Sequence, residues 1–215
     1  MRIAEIRYEH LGDPIGASEG YRKALDLAPD NAEAFGGLCN ALGAAAEWTS
    51  LIGVLLESGR AGGVESKAHF NRAATISEVR LQDLEGALRI YLELYERDPS
   101  DLESSDAMQR LAGQLDAWET ATNAWAAAVS QAGLPGADAR RRLADYYIAQ
   151  GDPVTAAGHL LRIVDAFPAD KVSLERLVEL AVSPEYTIRG LEGLVDLDER
   201  EESVRAYRSQ LADMY

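Results

Sequence analysis

The residue types that most often perform enzymatic chemistry are few in this chain and form no recognisable pattern. The three histidines lie far apart, at His10, His69 and His159. Neither a His-Glu-x-x-His motif nor a pair of cysteines offers the spacing of metal ligands. Cys39 is the only cysteine, and its position predicts a small buried thiol rather than a nucleophile. The sequence therefore predicts no catalytic, metal-binding or cofactor-binding residues, and a protein that is not an enzyme.

The motifs that bind phosphate groups or activate a serine are missing as well. The glycine-rich stretch from residue 59 to 63 lacks the lysine that a Gly-x-x-x-x-Gly-Lys loop requires. No Gly-x-Ser-x-Gly turn occurs in the chain, although many hydrolases place their nucleophile on such a turn. We interpret the glycine-rich stretch as an ordinary turn between helices.

The charge of the chain limits the class of partner. The formal net charge is -15 at pH 7, which argues against nucleic acid, because phosphates attract basic surfaces.

The longest apolar runs are far too short to span a bilayer, and the first eight residues lack the apolar core of a signal peptide. We expect a cytoplasmic protein with neither nucleic-acid nor membrane partners. The excess of arginine over lysine and the abundant alanine hint at a GC-rich bacterial genome.

Two columns of residues recur along the whole chain at intervals of 34 to 36 residues, and this periodicity indicates a repeat protein. The first column consists mostly of small residues: Ala17, Leu51, Ala87, Ala121, Ala156 and Gly190. The second column, four residues further on, is bulky: Tyr21, Leu55, Tyr91, Trp125, Leu160 and Leu194. We expect both columns to lie in the core, where the small residues allow close approach of a neighbouring helix.

Turn residues divide each repeat into two helices. Gly12 can adopt the left-handed conformation that ends a helix, and Asp13 can cap the next helix, with Pro14 in its first position. The same triplet returns at residues 151–153, and less typical triplets stand at 46–48, 82–84 and 116–118. The second helices should end before Pro29, Pro99 and Pro168. The residues that follow these prolines should cap the next helix: Asp30, Asn31, Ser100, Asp101 and Asp170.

A hairpin of two helices cannot bury its own apolar face and must stack on its neighbours. The sequence therefore predicts an all-α, right-handed superhelical solenoid of about six antiparallel hairpins, forming one repeat domain. Because both ends fall inside a unit, we expect a segment of a longer array. The units are approximately residues 1–31, 32–67, 68–101, 102–136, 137–170 and 171–204, with a half unit at 205–215.

The pattern resembles the tetratricopeptide repeat, whose unit has about thirty-four residues in two helices. The shared features are the Gly-Asp-like turn, the alanine followed by an aromatic residue on the second helix, and the proline near the end. One of the best-matching units contains Leu11, Gly12, Asp13, Ala17, Tyr21, Ala24 and Pro29. Another contains Leu143, Ala144, Tyr147, Gly151, Asp152, Ala156 and Pro168. Related helical-hairpin repeats are the main alternative.

The resemblance implies a concave groove, lined by the first helices, that holds a peptide or a segment of a partner. Arg72, Arg110 and Arg141 fall in this groove, and arginine binds carboxylates well; the alternative is that these arginines pair with Asp106, Asp138 and Asp145. By register, the groove would include Arg2, Ile6, Asn40, His69, Arg72, Ile76, Arg110, Asp138, Arg141, Asp145, Glu175 and Glu179. The binding residues that we single out are Asn40, Arg72, Ile76, Arg110, Arg141 and Asp145.

The function that these features favour is a non-catalytic scaffold for protein–protein interaction, which binds a peptide or partner protein in the groove. The alternative is a structural segment of a longer repeat array that self-associates through exposed end helices. A stable monomer in solution would favour the first interpretation, and growth in size with concentration would favour the second. The sequence does not identify the partner.

Overall fold

The computed structural model describes residues 1–130, 134–197 and 201–215, and within them all regular structure is helical. The thirteen helices of this described part are α1 (Arg2–Glu9), α2 (Pro14–Leu27), α3 (Ala32–Ala44), α4 (Trp48–Ala61), α5 (Ser66–Val79), α6 (Leu84–Arg97), α7 (Leu102–Leu115), α8 (Trp118–Ala128), α9 (Leu134–Ala149), α10 (Pro153–Ala166), α11 (Lys171–Leu180), α12 (Pro184–Leu197) and α13 (Glu201–Met214).

Helices that follow each other in the chain pack together from α1 to α7 and from α8 to α13. The hairpins α1–α2, α3–α4, α5–α6, α9–α10 and α11–α12 each join two helices by a short turn, and each second helix of a hairpin also contacts the helix that follows it. This arrangement confirms the predicted all-α helical-repeat fold and is consistent with a repeat of the tetratricopeptide type. The right-handed coiling of the array and the division into six units remain predictions.

The chain comprises two compact units, and each has its own hydrophobic core. Unit 1 extends from Met1 to Ala117, and unit 2 extends from Trp118 to Tyr215. The core of unit 1 includes Leu38, Leu55 and Phe70, whereas that of unit 2 includes Leu160 and Leu177. These side chains are almost completely buried, so both units contain the packed interior that a stack of hairpins requires.

The two columns of the repeat lie in these cores, as predicted. The alanines of the small column are fully buried: Ala17, Ala87, Ala121 and Ala156 are each 0% exposed. The bulky column is buried from Tyr21 through Leu194, except that Tyr91 is only half-buried. An alanine at each point of close approach lets the helices touch, and the large side chain one turn later fills the wider gap beside it.

The turn inside each hairpin follows the predicted Gly-Asp-Pro chemistry. Gly12 and Gly151 have φ angles of +59° and +76°, in the left-handed region that glycine tolerates best. The carboxylate of Asp13 then accepts a hydrogen bond of 2.8 Å from the backbone N–H of Gly16. Asp152 accepts the equivalent bond from Thr155. Sequence and structure therefore agree on how these two second helices begin.

The less typical turns keep the same backbone conformation without glycine. Ala46, Gln82 and Asp116 have φ angles of +57°, +55° and +53°, and Ala181 in the following hairpin has +46°. L-residues seldom adopt this region because their Cβ atom crowds the backbone. The repeat therefore preserves the turn geometry even where the sequence supplies no glycine.

The prolines end the second helices as predicted, and Asn31 and Asp101 cap the helices that follow the first two of them. The helix α2 ends at Leu27, two residues before Pro29, and Asn31 then accepts a hydrogen bond from the N–H of Ala34. Asp170 is the exception, because it occupies the N-cap position of α11 without a side-chain cap hydrogen bond. Its carboxylate accepts hydrogen bonds from Arg141 instead.

Candidate functional site

The predicted groove residues of unit 1 lie on its first helices. We call the exposed surface that carries Asn40 on α3, Arg72 on α5 and Arg110 on α7 the first-helix face of unit 1; all three side chains are exposed. Side chains of α5 and α7 hydrogen-bond to each other, so these first helices are neighbours. On α1, Arg2 and Ile6 are exposed as well.

Arg110 is not free to bind a partner, because its guanidinium group is held by Glu78 on α5. The two oxygens of Glu78 accept hydrogen bonds of 2.7 and 2.9 Å from the two terminal nitrogens of Arg110. This two-pronged geometry gives stronger and more specific pairing than a single contact. A ligand that used Arg110 would have to displace Glu78.

Further charged contacts connect α5 to α7. The ammonium group of Lys67 donates a hydrogen bond of 2.8 Å to Asp101 and lies 3.3 Å from Glu103. Asn71 donates to the same Glu103 at 3.2 Å. Because the carboxylate of Asp101 is 3% exposed, its negative charge needs this compensation.

Arg72 differs from Arg110 and Lys67, since it forms no ion pair with any residue that the structure describes. Burial raises the pKa of the Cys39 thiol, and the positive charge of Arg72 acts in the opposite direction. The guanidinium group therefore lies close enough to α3 to act on residue 39, which is the neighbour of Asn40. Arg72 and Asn40 are both exposed, on the first helices α5 and α3.

Other predicted groove residues contribute less to an open surface. Ile76 is only 9% exposed and belongs to the core of unit 1, so the structure removes it from the groove. His69 is half-buried and packs against Phe35, with the ring centroids 5.0 Å apart. Beside these rings, a Cβ atom added at Gly36 would meet no atom within 4 Å, which leaves open space on α3.

The predicted residues of unit 2 are occupied by ion pairs between α9 and α11. Arg141 lies 3.2 Å from Asp170, at the beginning of α11. In a second pair the acid lies on α9 and the base on α11, because Asp145 pairs with Arg176. Both pairs are partly shielded from solvent, and together they fasten one first helix to the next.

The remaining predicted residues of unit 2 follow the same trend. Asp138 lies 3.4 Å from Arg142, one turn along α9, and Glu175 lies 3.8 Å from Lys171 on α11. Glu179 is exposed at the end of α11. Asp138 and Glu175 are therefore engaged in contacts along their own helices.

The alternative interpretation, in which the arginines pair inside the protein, describes Arg110 and Arg141 correctly. Arg110 pairs with Glu78 and Arg141 pairs with Asp170, two acids that the sequence analysis did not name as partners. Asp138 pairs with Arg142, and Asp145 pairs with Arg176. The sequence analysis missed Lys67 entirely, although a signal existed. Lys67 and Asp101 are 34 residues apart, which is the length of one repeat, so opposite charges at that interval could have revealed the pairing.

No cluster of three or more metal-ligating side chains occurs among the described residues. In the same part of the chain, no helix combines the length and the apolar character needed to cross a membrane. Cys39 is a free thiol and 1% exposed, as its position predicted.

Two solved structures are similar to this chain over almost its whole length. A tetratricopeptide repeat protein from Parabacteroides merdae is 16% identical in sequence, with a TM-score of 0.41; the match covers 98% of this chain and 83% of that one. The structure of MamA is 14% identical with a TM-score of 0.38, and the match covers 99% of this chain and 98% of MamA. No family model matches the sequence, and no curated protein matches it either.

Proposed function

We propose that the chain is a non-catalytic scaffold that binds a segment of a partner protein on the first-helix face of unit 1. The observation that carries the proposal is the state of Arg72. It is exposed and forms no ion pair with the described residues, whereas Arg110 on the next first helix is held by Glu78. An exposed guanidinium group that has no ion pair among the described residues suits recognition of a carboxylate.

The neighbouring residues support this chemistry. Asn40 can donate a hydrogen bond from its side-chain amide to a second carboxylate oxygen or to a peptide carbonyl. Gly36, one turn before Asn40 on α3, has open space where a side chain would stand. A bound segment could therefore approach the backbone of α3 closely while its carboxylate reaches Arg72.

The net charge of -15 narrows the class of segment. A run of acidic residues would be repelled by the field of the whole protein. A segment with a single carboxylate, such as a free C-terminus or one acidic side chain among apolar residues, would experience little of this repulsion. We therefore propose a partner with one anchoring carboxylate rather than an acidic tail.

Selection from a library of random peptides with free C-termini tests the proposal. Binding of the enriched peptides to the wild-type chain is then compared with binding to Arg72→Gln and Asn40→Ala by fluorescence anisotropy. We expect Arg72→Gln to weaken binding by roughly tenfold or more, because a charge-assisted hydrogen bond is lost. Arg72→Lys should restore only part of the affinity, since lysine lacks the planar fork.

The matched control is Arg89→Gln, which removes one positive charge from an exposed position on α6. It should bind the peptides as the wild type does. The proposal fails if the enriched peptides bind Arg72→Gln and wild type equally, or if no peptide is enriched. In that second case, growth in particle size with concentration, measured by light scattering, would favour a self-assembling segment of an array.

A further inference from the structure

Three consecutive arginines on α9 have three different environments. Arg141 pairs with Asp170, and Arg142 pairs with Asp138. Arg140 forms no ion pair with any described residue, although it is partly buried. Among the described residues, Arg140 therefore lacks the counter-charge that its two neighbours have.

Two more basic side chains, His159 and Arg162, lie on α10, which packs against α9 in the same hairpin. His159 and Arg162 are three residues apart and lie on the same side of that helix. The ring of His159 is stacked on Tyr147 of α9, with centroids 5.6 Å apart and an angle of 11° between the planes. The Nδ1 atom of His159 is buried and has no hydrogen-bond partner. Stacking thus fixes the orientation of the ring while one of its nitrogens remains unused.

The charges of this cluster act on each other. Burial lowers the pKa of His159, and the charges of Arg140 and Arg162 lower it further. Burial also lowers the pKa of Arg140, with a second contribution from Arg162. The acid one turn further along α10, Asp165, lies 4.0 Å from Arg189 of α12 instead. This local concentration of positive charge has an energetic cost that a bound anion would relieve.

We propose that Arg140, Arg162 and His159 form a site in unit 2 for a phosphate-type oxyanion, either inorganic phosphate or a phosphate monoester. Two guanidinium forks offer paired N–H donors that match the oxygens of a phosphate group. A doubly charged anion balances both arginines, whereas a single carboxylate balances only one. The histidine contributes a further N–H donor at the edge of the cluster.

The site is open to a ligand from solution. Arg162 is exposed, and Arg140 and His159 keep part of their surface accessible. It lies on the α9–α10 hairpin of unit 2 and is independent of Arg72, which belongs to unit 1. The two proposals can therefore fail separately.

Titration of the whole chain with inorganic phosphate in low-chloride buffer tests the site. Isothermal calorimetry gives the affinity, and the ring protons of His159 report the location by NMR. We expect saturable binding and a shift of the His159 resonances in the wild type. The double variant Arg140→Gln/Arg162→Gln should bind at least roughly tenfold more weakly, since it loses charge-assisted hydrogen bonds.

The control variant is Arg22→Gln/Arg89→Gln, which removes two exposed positive charges from unit 1 and should bind phosphate like the wild type. Acetate should bind more weakly than phosphate. Comparison of inorganic phosphate with N-acetyl-O-phosphoserine amide then shows which source of phosphate binds more tightly. The proposal is overturned if phosphate binding does not saturate, if His159 does not shift, if both double variants bind equally, or if acetate binds as tightly as phosphate.

Discussion

At the scale of single residues, left-handed alanines and glutamine carry a conformational cost that glycine would avoid. Ala46 at φ +57° is such a residue. Replacement by glycine removes steric strain of about 1–2 kcal/mol, while greater freedom of the unfolded chain cancels about 0.4–1 kcal/mol of the gain. We expect Ala46→Gly to stabilise the protein by about 0.5–1 kcal/mol, measured by urea unfolding.

The reverse substitution provides the matched test. A Cβ atom at Gly12 would meet no atom within 4 Å, so Gly12→Ala changes only the backbone preference at φ +59°. It should destabilise the protein by about 0.5–1 kcal/mol. If both variants shift stability in the same direction, the left-handed conformation is not what determines their effect.

The depressed pKa of His159 predicts a specific dependence of stability on pH. Burial, followed by Arg140 and Arg162, lowers the pKa of this group in the folded protein. Above its unfolded value of about 6.5, both states are neutral and the group contributes nothing. As the pH falls below that value, the unfolded state takes up the proton first, so stability declines until the pH passes the folded pKa.

The variant His159→Gln isolates this contribution, because it cannot be protonated. Urea unfolding between pH 8 and pH 5 should show a smaller loss of stability for His159→Gln than for the wild type. Carboxylates and the other histidines contribute equally to both proteins and cancel in the difference. Parallel curves across this range would mean that His159 has an ordinary pKa.

At the scale of helices, the small column sets how closely neighbouring elements approach. Ala121 on α8 is 0% exposed, whereas Ala126 on the same helix is exposed. Ala121→Leu should destabilise unit 2 by about 1–3 kcal/mol, because additional methylene groups have no space in a packed core. Ala126→Leu should leave the melting temperature almost unchanged. Equal melting temperatures for the two variants would refute the register of the column.

The last member of the small column shows an even closer approach. A Cβ atom at Gly190 on α12 would lie 2.8 Å from a methyl carbon of Val178 and 3.0 Å from the carbonyl oxygen of Leu174. Gly158 on α10 has no such neighbours. Gly158→Ala should therefore gain about 0.5–1 kcal/mol from helix propensity, and Gly190→Ala should reduce stability. Thermal unfolding of the two variants decides the point, and a stabilised Gly190→Ala would contradict it.

The sequence predicts the elements well because their signals are local. Gly12, Asp13 and Pro14 act on the backbone within a few residues, and the structure places each of them as expected. The partners of charged residues are harder to predict, because they depend on which helices become neighbours. Asp170 could equally well cap α11 or bind Arg141, and only the packing of α9 beside it favours the second.

The candidate site illustrates the same limit. The register of the repeat was enough to place Asn40 and Arg72 on first helices. It did not reveal that Glu78 holds Arg110 or that Ile76 is buried. The sequence did not predict the Arg140 cluster, because its members come from two helices. Its net positive charge also depends on nearby acids such as Asp138 and Asp165, which pair with other residues.

At the scale of the whole molecule, repulsion among acids dominates the long-range electrostatics. The chain has 36 aspartates and glutamates against 21 lysines and arginines. Self-repulsion destabilises the compact state, whereas each surface ion pair contributes only about 0–1 kcal/mol. We expect the melting temperature to rise as sodium chloride increases from about 10 mM to about 150 mM, where the Debye length falls below 10 Å. A falling melting temperature would show that the ion pairs outweigh the repulsion.

The ion pairs between successive first helices have a consequence for how such a chain can be rearranged. Lys67 reaches forward to Asp101, Arg110 reaches back to Glu78, and Arg176 reaches back to Asp145. Between α5 and α7, and between α9 and α11, each first helix therefore carries charged residues whose partners lie on the neighbouring first helix. These hairpins are therefore not interchangeable, because exchanging or deleting one would leave acids such as the buried Asp101 without a counter-charge. The ion pairs therefore favour the order in which these hairpins follow each other in the chain.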